Sequence, residues 1–226
     1  MEFVVVDGVR LAVAVSGSPD TPPLVLLHGG GTDKSTWDLV APTLAATHRV
    51  YAPDMRGFGD SDRPGKYSFG LMRDDVFAIM DAFDADRFDV IGHSMGGTLA
   101  GLIAEAQPQR VAHLVIVDSP LPKVGGDPIV LGDRPDPEPD FDWDALVAII
   151  GQVNSPDPHW WDAMAGISAT TLFLAGGPPS HVPQERLHDA YALVQGSRLV
   201  EIPVGHAIHR LAPAEFLAEV VPFLAV

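Results

Sequence analysis

The stretch Gly92-His93-Ser94-Met95-Gly96 carries the strongest chemical signal in the chain. It follows the apolar run Phe88-Asp89-Val90-Ile91 and opens a helix-like run that begins at Thr98. Strand, sharp turn with small residues on both sides, then helix is the context in which G-x-S-x-G presents a serine as a nucleophile. Glycine on either side lets the strand and helix approach closely around a strained serine. The following helix N-terminus points free backbone N–H groups toward a developing oxyanion. A serine hydroxyl is weakly nucleophilic at neutral pH, so Ser94 needs a base within hydrogen-bond reach. Of nine histidines, His206 fits best. It follows an apolar run at 199–202 and a turn with Gly205, on a loop at the carboxyl edge where open α/β sheets bind ligands. His209 competes for this role, or else begins the last helix or lines the pocket. His28 and His93 read as structural or turn histidines. His48, His113, His159, His181 and His188 read as surface or packing residues.

The elements that must position these groups alternate along the chain. Residues 2–6 and 9–15 form a hairpin across Asp7-Gly8. Buried strands follow at 24–27 and 50–53, then the strand leading to Ser94, then 111–117, 170–175 and 198–202. Helices are expected at about 37–46, 70–83, up to 106, 184–194 and 212–223. The pattern predicts an α/β fold: a doubly wound, mostly parallel eight-stranded sheet with helices on both faces. The rhythm breaks between 121 and 166. Residues 133–144 hold six acidic residues and three prolines, which oppose a packed helix. We therefore expect a core formed by 1–121 and 167–226, with 122–166 as a short, partly mobile cap. Short helices are expected at 144–152 and 160–165. Trp143, Trp160 and Trp161 either line an acyl pocket or pin the cap.

His28-Gly29-Gly30-Gly31, Asp54-Met55-Arg56-Gly57-Phe58-Gly59-Asp60-Ser61, Gly92-His93-Ser94-Met95-Gly96-Gly97 and Gly205-His206 together resemble the α/β-hydrolase fold family. They stand in the family's order and span nearly the whole chain outside the cap. The resemblance implies Ser94 as nucleophile and His206 as base. It implies an oxyanion hole from the N–H groups of Met95 and Gly30, with Gly31 as the fallback. Gly29, Gly31, Trp160, Trp161 and His209 are candidate substrate-binding residues. Many members carry the triad acid after the strand matching 170–175, where this chain has Gly176-Gly177-Pro178-Pro179-Ser180-His181-Val182-Pro183 and no carboxylate. Asp118, after the strand beside the elbow, takes that role, as in some members; otherwise it caps a turn toward Ser119-Pro120. A Ser–His dyad and an inactive hydrolase-like protein stay open beside it. The Asp54–Ser61 motif is assigned to loop geometry.

Composition narrows the class. The 226 residues carry 14 basic and 30 acidic side chains, a formal charge of −16, which disfavours nucleic acid as a partner. Without cysteine there is neither a disulfide nor a thiolate metal site. His206 and His209 lack the spacing and glutamate of a zinc-protease helix, so no metal and no cofactor is expected. The glycines at 29–31 resemble a phosphate loop only loosely, because Asp33 precedes Lys34 where glycine is needed. No run has membrane-spanning length and no signal segment is evident, which suits a cytoplasmic protein. The expectation is a monomeric or homodimeric serine hydrolase of carboxylic esters, acting on small to medium apolar substrates. Lactone, amide or C–C bond hydrolysis, perhydrolysis, and ligand binding with little turnover are the alternatives.

Overall fold

The computed structural model describes residues 1–125 and 127–225. Strands β1 (Glu2–Val6) and β2 (Val9–Ser16) form the expected antiparallel hairpin. Its turn residues Asp7 and Gly8 sit at φ 47° and 81°, the left-handed pair a two-residue hairpin turn requires. The chain continues through β3 (Pro23–Leu27), α1 (Ala41–Leu44), β4 (Arg49–Pro53), α2 (Phe69–Ala82), β5 (Phe88–His93), α3 (Met95–Ala106) and β6 (Val111–Val117). Then come α4 (Trp143–Asn154), α5 (Pro158–Ala163), β7 (Thr170–Ala175), α6 (Gln184–Leu193), β8 (Arg198–Glu201), α7 (Ile208–Leu211) and α8 (Pro213–Leu224). The eight strands make one sheet in the order β1-β2-β4-β3-β5-β6-β7-β8. β2 is antiparallel to both neighbours and every other pairing from β4 to β8 is parallel.

Two apolar layers hold the sheet. On one face α2 and α3 pack Met72, Val76, Leu99 and Ile103 against Val25, Leu27, Val90 and Leu114. On the other, Trp37, Phe216 and Val220 cover Leu24, Leu26, Ile91 and Val115. Each fully buried Leu, Ile or Phe of these layers contributes about 1.5–3 kcal/mol relative to exposure. β3 and β5 lie at the middle of the sheet, so both loops that leave their carboxyl ends emerge at one point of its edge.

Two helices depart from expectation. The helix expected over 37–46 is divided into a 3₁₀ turn at Lys34–Trp37, capped by the Asp33 side chain, and the four-residue α1. Pro42 lies in the first turn of α1, where proline starts a helix and cannot continue one. The closing helix is likewise preceded by α7 and restarts at Pro213, after Ala212 at φ −138°. The 122–166 segment contains α4 and α5 at the places expected for short helices. Both begin on an aspartate, Asp142 and Asp157, that accepts from the backbone N–H two residues on.

Glu105, half-buried near the end of α3, has no ion-pair partner among the described residues. Burial alone raises its carboxyl from an ordinary 4.5 to about 8. In the unfolded chain it ionises first, so folding stability falls as pH rises from about 4.5 to about 8 and then levels. Glu105→Gln is expected to remove that decline, as followed by denaturant unfolding at pH 5, 7 and 9.

Candidate active site

The turn between β5 and α3 holds Ser94 at φ 54° and ψ −118°, a left-handed conformation rare for a residue with a side chain. It exists because the neighbouring backbones nearly touch. A Cβ at Gly92 would lie 2.0 Å from the Gly96 oxygen, and one at Gly96 would lie 2.2 Å from the Leu27 oxygen. Both obstacles are backbone, so neither yields cheaply. Gly96→Ala is expected to cost at least about 1–3 kcal/mol or to abolish soluble expression, checked by chemical denaturation. The Ser94 N–H donates to the Val117 oxygen at 3.0 Å, and Ser119 Oγ donates to the Ser94 oxygen at 2.8 Å, so β6 and the residues after it hold the turn.

Asp118 directly follows β6. It is fully buried, with φ 40°, and its N–H donates to the Leu174 oxygen at 2.8 Å. His206 leaves β8 through Gly205, at φ 93°, whose N–H donates to the Gly176 oxygen at 3.0 Å. The two side chains meet: His206 Nδ1 donates to Asp118 Oδ2 at 2.7 Å. The same carboxylate accepts from Gly176 N at 2.8 Å, Gln184 Nε2 at 3.0 Å and Ser180 Oγ. Burial pushes the Asp118 carboxyl up. The bonds from His206, Ser180, Gly176 and Gln184 pull harder, and it settles below the usual carboxylate range. An ionised acceptor on Nδ1 fixes the His206 tautomer with Nε2 bare. The segment 176–183 thus carries no acid of its own and instead supplies donors to an acid from the neighbouring strand. Sequence reasoning missed Ser180 and Gln184, because a glycine- and proline-rich loop gives no periodic signal.

Ser94 and His206 both border one cavity of about 500 Å³, together with Gly30 and Met95. Ser94 Oγ makes no hydrogen bond among the described residues, an open arrangement that can tighten when a substrate binds. The N–H groups of Gly30 and Met95 also have no acceptor among the described residues. The glycine loop is held from below. His28, kept neutral by burial, donates from Nδ1 to the Gly29 oxygen at 2.8 Å and accepts at Nε2 from Met55 N at 3.0 Å. Buried Asp54 accepts from Lys34 N at 2.7 Å, Lys34 Nζ at 2.6 Å and Asp60 N at 2.8 Å. The Asp54–Ser61 motif therefore clamps the glycine loop. Gly59 is required there, since a Cβ would sit 2.3 Å from the Asp54 carboxylate.

The cavity roof is mainly aliphatic and comes from the 122–166 segment: Ile129, Leu131, Leu146, Ile149, Ile150 and Val153, with Asp127 and Pro128 at its margin. The tryptophans do not line it. Trp160 packs edge-on against Phe69, and Trp161 carries the Lys123 ammonium 5.1 Å over its ring. For Trp160 and Trp161 pinning matches their place, because their helix, α5, lies away from the cavity while α4 covers it; Trp143, the first residue of α4, stacks on Phe141 and also does not line it. Neither Gly29, which faces His93 and Ser94, nor Gly31, which faces Phe141, is among the residues lining the cavity. His209 also stands apart from it. It is fully buried, bonded through Nε2 to Thr36 Oγ1 at 2.9 Å and packed on Trp37 at 4.3 Å. Burial, with help from Arg210 and His206, lowers its pKa to about 3. His181, assigned by sequence to a bland surface or packing role, does border the cavity, with its ring 4.2 Å from that of His206.

The chain matches the model of the alpha/beta hydrolase fold family over residues 22–165. It belongs to that family. The α/β-hydrolases it is similar to include the AB hydrolase superfamily protein YfhM of Bacillus subtilis (strain 168), 35% identical over 127 residues, or 54% of this chain and 44% of the relative. The 2-hydroxymuconate semialdehyde hydrolase of Pseudomonas sp. (strain CF600) is 37% identical over 121 residues, or 51% of this chain and 42% of that one. The matches thus span less than half of each relative's own length. Among solved structures, a hydrolase from Pseudomonas aeruginosa PA01 superposes with a TM-score of 0.85 over 100% of this chain and 98% of its own, at 24% identity. That likeness establishes the α/β-hydrolase fold. No helix among the described residues is long and apolar enough to cross a membrane.

Proposed function

We propose that this α/β-hydrolase is a serine hydrolase that cleaves carboxylic esters of small to medium, apolar, uncharged substrates through an acyl-enzyme. The observation that carries the reading is the Asp118–His206 bond reaching into the same cavity that Ser94 borders. Bare Nε2 of His206 takes the Ser94 proton as Oγ attacks the ester carbonyl. The carbonyl oxygen becomes an oxyanion facing the N–H groups of Gly30 and Met95, and each such donor is worth about 3 kcal/mol at the transition state. His206 then hands its proton to the departing alkoxide, and the acyl group remains on Ser94. Water, deprotonated by the same nitrogen, releases the acid. Asp118 stabilises the imidazolium in both halves. The aliphatic roof from Ile129 to Val153 excludes water from the acyl group and outweighs the Asp127 carboxylate at the cavity wall, which supports an apolar acyl chain.

A second reading shares the machinery. Similarity to 2-hydroxymuconate semialdehyde hydrolase supports cleavage of a C–C bond beside a carbonyl, as in a β-diketone. A panel of p-nitrophenyl esters from acetate to decanoate, run beside a β-diketone series, separates the two. The ester reading expects saturable ester turnover with an optimum at intermediate acyl length. It is overturned if only the diketones turn over. Thermal stabilisation by such ligands with no turnover of either series would instead favour a binding protein.

A further inference from the structure

His93 is the residue immediately before Ser94, and its imidazole is buried where three parts of the site meet. Its ring centroid lies 4.5 Å from that of His206 and 4.7 Å from that of His209. A Cβ on Gly29 would stand 2.9 Å from its Nδ1, so the glycine loop leaves the room that the ring occupies. Its Nε2 lies 3.0 Å from the main-chain oxygen of His206. A carbonyl only accepts, so the proton of the neutral ring must sit on Nε2. Nδ1 is then a bare lone pair, and it is buried with no partner. Burial, followed by the nearby His209 and His206, keeps the ring neutral.

A packing role does not account for this arrangement. A leucine or phenylalanine would fill the space without leaving a buried acceptor unsatisfied. What the imidazole adds is the Nε2–H bond to the His206 oxygen. Among the described residues that carbonyl has no other partner, and the residue on its N-terminal side is Gly205, the most permissive of backbones. We infer that His93 is a positioning residue that ties the loop carrying His206 to the nucleophile turn through this bond. It does not touch the substrate. It sets where the base stands relative to Ser94, and its effect is on the rate of bond making more than on substrate binding.

The inference rests on the proposed Ser94–His206 chemistry, and the test separates the two. Gln places an amide N–H near the position of Nε2, whereas Asn places it near Nδ1, short of the His206 carbonyl. His93→Gln is expected to keep kcat for a p-nitrophenyl ester within a few-fold of wild type. His93→Asn is expected to lower kcat by about 10- to 100-fold, the scale of a displacement near 1 Å, with KM little changed. The downfield proton resonance of the His206–Asp118 bond should persist in the Gln variant and shift or broaden in the Asn variant. Equal kcat values in the two variants, with the resonance unmoved, would overturn the inference. Should the Asn variant not fold, wild-type protein still decides. Long-range ¹H–¹⁵N correlations must give His93 as the Nε2–H tautomer, and an Nδ1–H tautomer overturns the tie. Wild type that neither turns over esters nor reacts with a fluorophosphonate would instead refute the Ser94 chemistry, leaving the tautomer measurement to judge His93.

Discussion

Ser94→Ala is expected to lower ester turnover on the order of 10⁶-fold while the protein keeps its fold. The substitution removes only Oγ. The strained φ of 54° is imposed by the close approach of Gly92, Gly96 and Leu27, and alanine bears the same Cβ as serine, so the turn persists. Ser94 Oγ has no hydrogen bond among the described residues, so its loss leaves no buried partner stranded. Melting temperature should therefore stay within a degree or two of wild type. Steady-state kinetics with a short p-nitrophenyl ester, beside a thermal melt, checks both halves. Residual turnover within tenfold of wild type would remove Ser94 from the mechanism.

Asp118→Asn is expected to lower kcat on the order of 10⁴-fold, and, unlike Ser94→Ala, to destabilise the protein as well. Asp118 accepts four hydrogen bonds, from His206, Ser180, Gly176 and Gln184. An asparagine has one acceptor oxygen and a donating amide group. If the oxygen stays with Gly176 and Gln184, the amide faces Nδ1 of His206 and drives the imidazole into the other tautomer, with its proton toward Ser94. If the amide turns away, it meets the Gly176 N–H and the Gln184 amide donor-to-donor. Stranding a buried donor costs about 1–3 kcal/mol, so a fall in denaturation midpoint should accompany the loss of activity. The carboxylate's own titration gives the sign of a related pH effect. Its folded-state pKa lies below the ordinary value of 3.8, so the stabilisation is complete above about that pH and is lost as the solution is acidified through the folded pKa. Asp118→Asn should flatten that acid limb of the stability curve.

The sheet was legible because its strands are continuous apolar runs between glycine- and proline-rich turns, and buried parallel strands have that signature. Leu24-Val25-Leu26-Leu27 and Thr170–Ala175 fall where the alternation puts them. What blurred was propensity near proline. The run 37–46 reads as one helix until Pro42 restarts it. In the site, Asp118 could be picked out because the family's usual acid position after 170–175 holds no carboxylate and some members carry the acid after the strand beside the elbow, which β6 is. The donors that hold it could not. Ser180 and Gln184 lie 62 and 66 residues further on, and only the folded loop brings them to the carboxylate. The tryptophans were ambiguous for a related reason. Composition leaves Trp143, Trp160 and Trp161 equally open to lining a pocket or pinning the cap, and only the fold shows that the side chains α4 turns to the cavity are the aliphatic Leu146, Ile149 and Val153. His93 reads in sequence as a structural or turn histidine and His181 as a surface or packing residue, because a lone histidine in a loop or at a strand end has no pattern that would say more. Their meaning appears once His206 stands between them.

The most direct test of the account is the mass of the intact protein after exposure to a fluorophosphonate, followed by peptide mapping. Wild type should gain a single adduct on Ser94, rapidly at neutral pH. The adduct should be absent in Ser94→Ala and should form orders of magnitude more slowly in His206→Ala. An unmodified wild-type protein, or an adduct that persists in Ser94→Ala, would contradict the assignment of Ser94 as a nucleophile activated by His206.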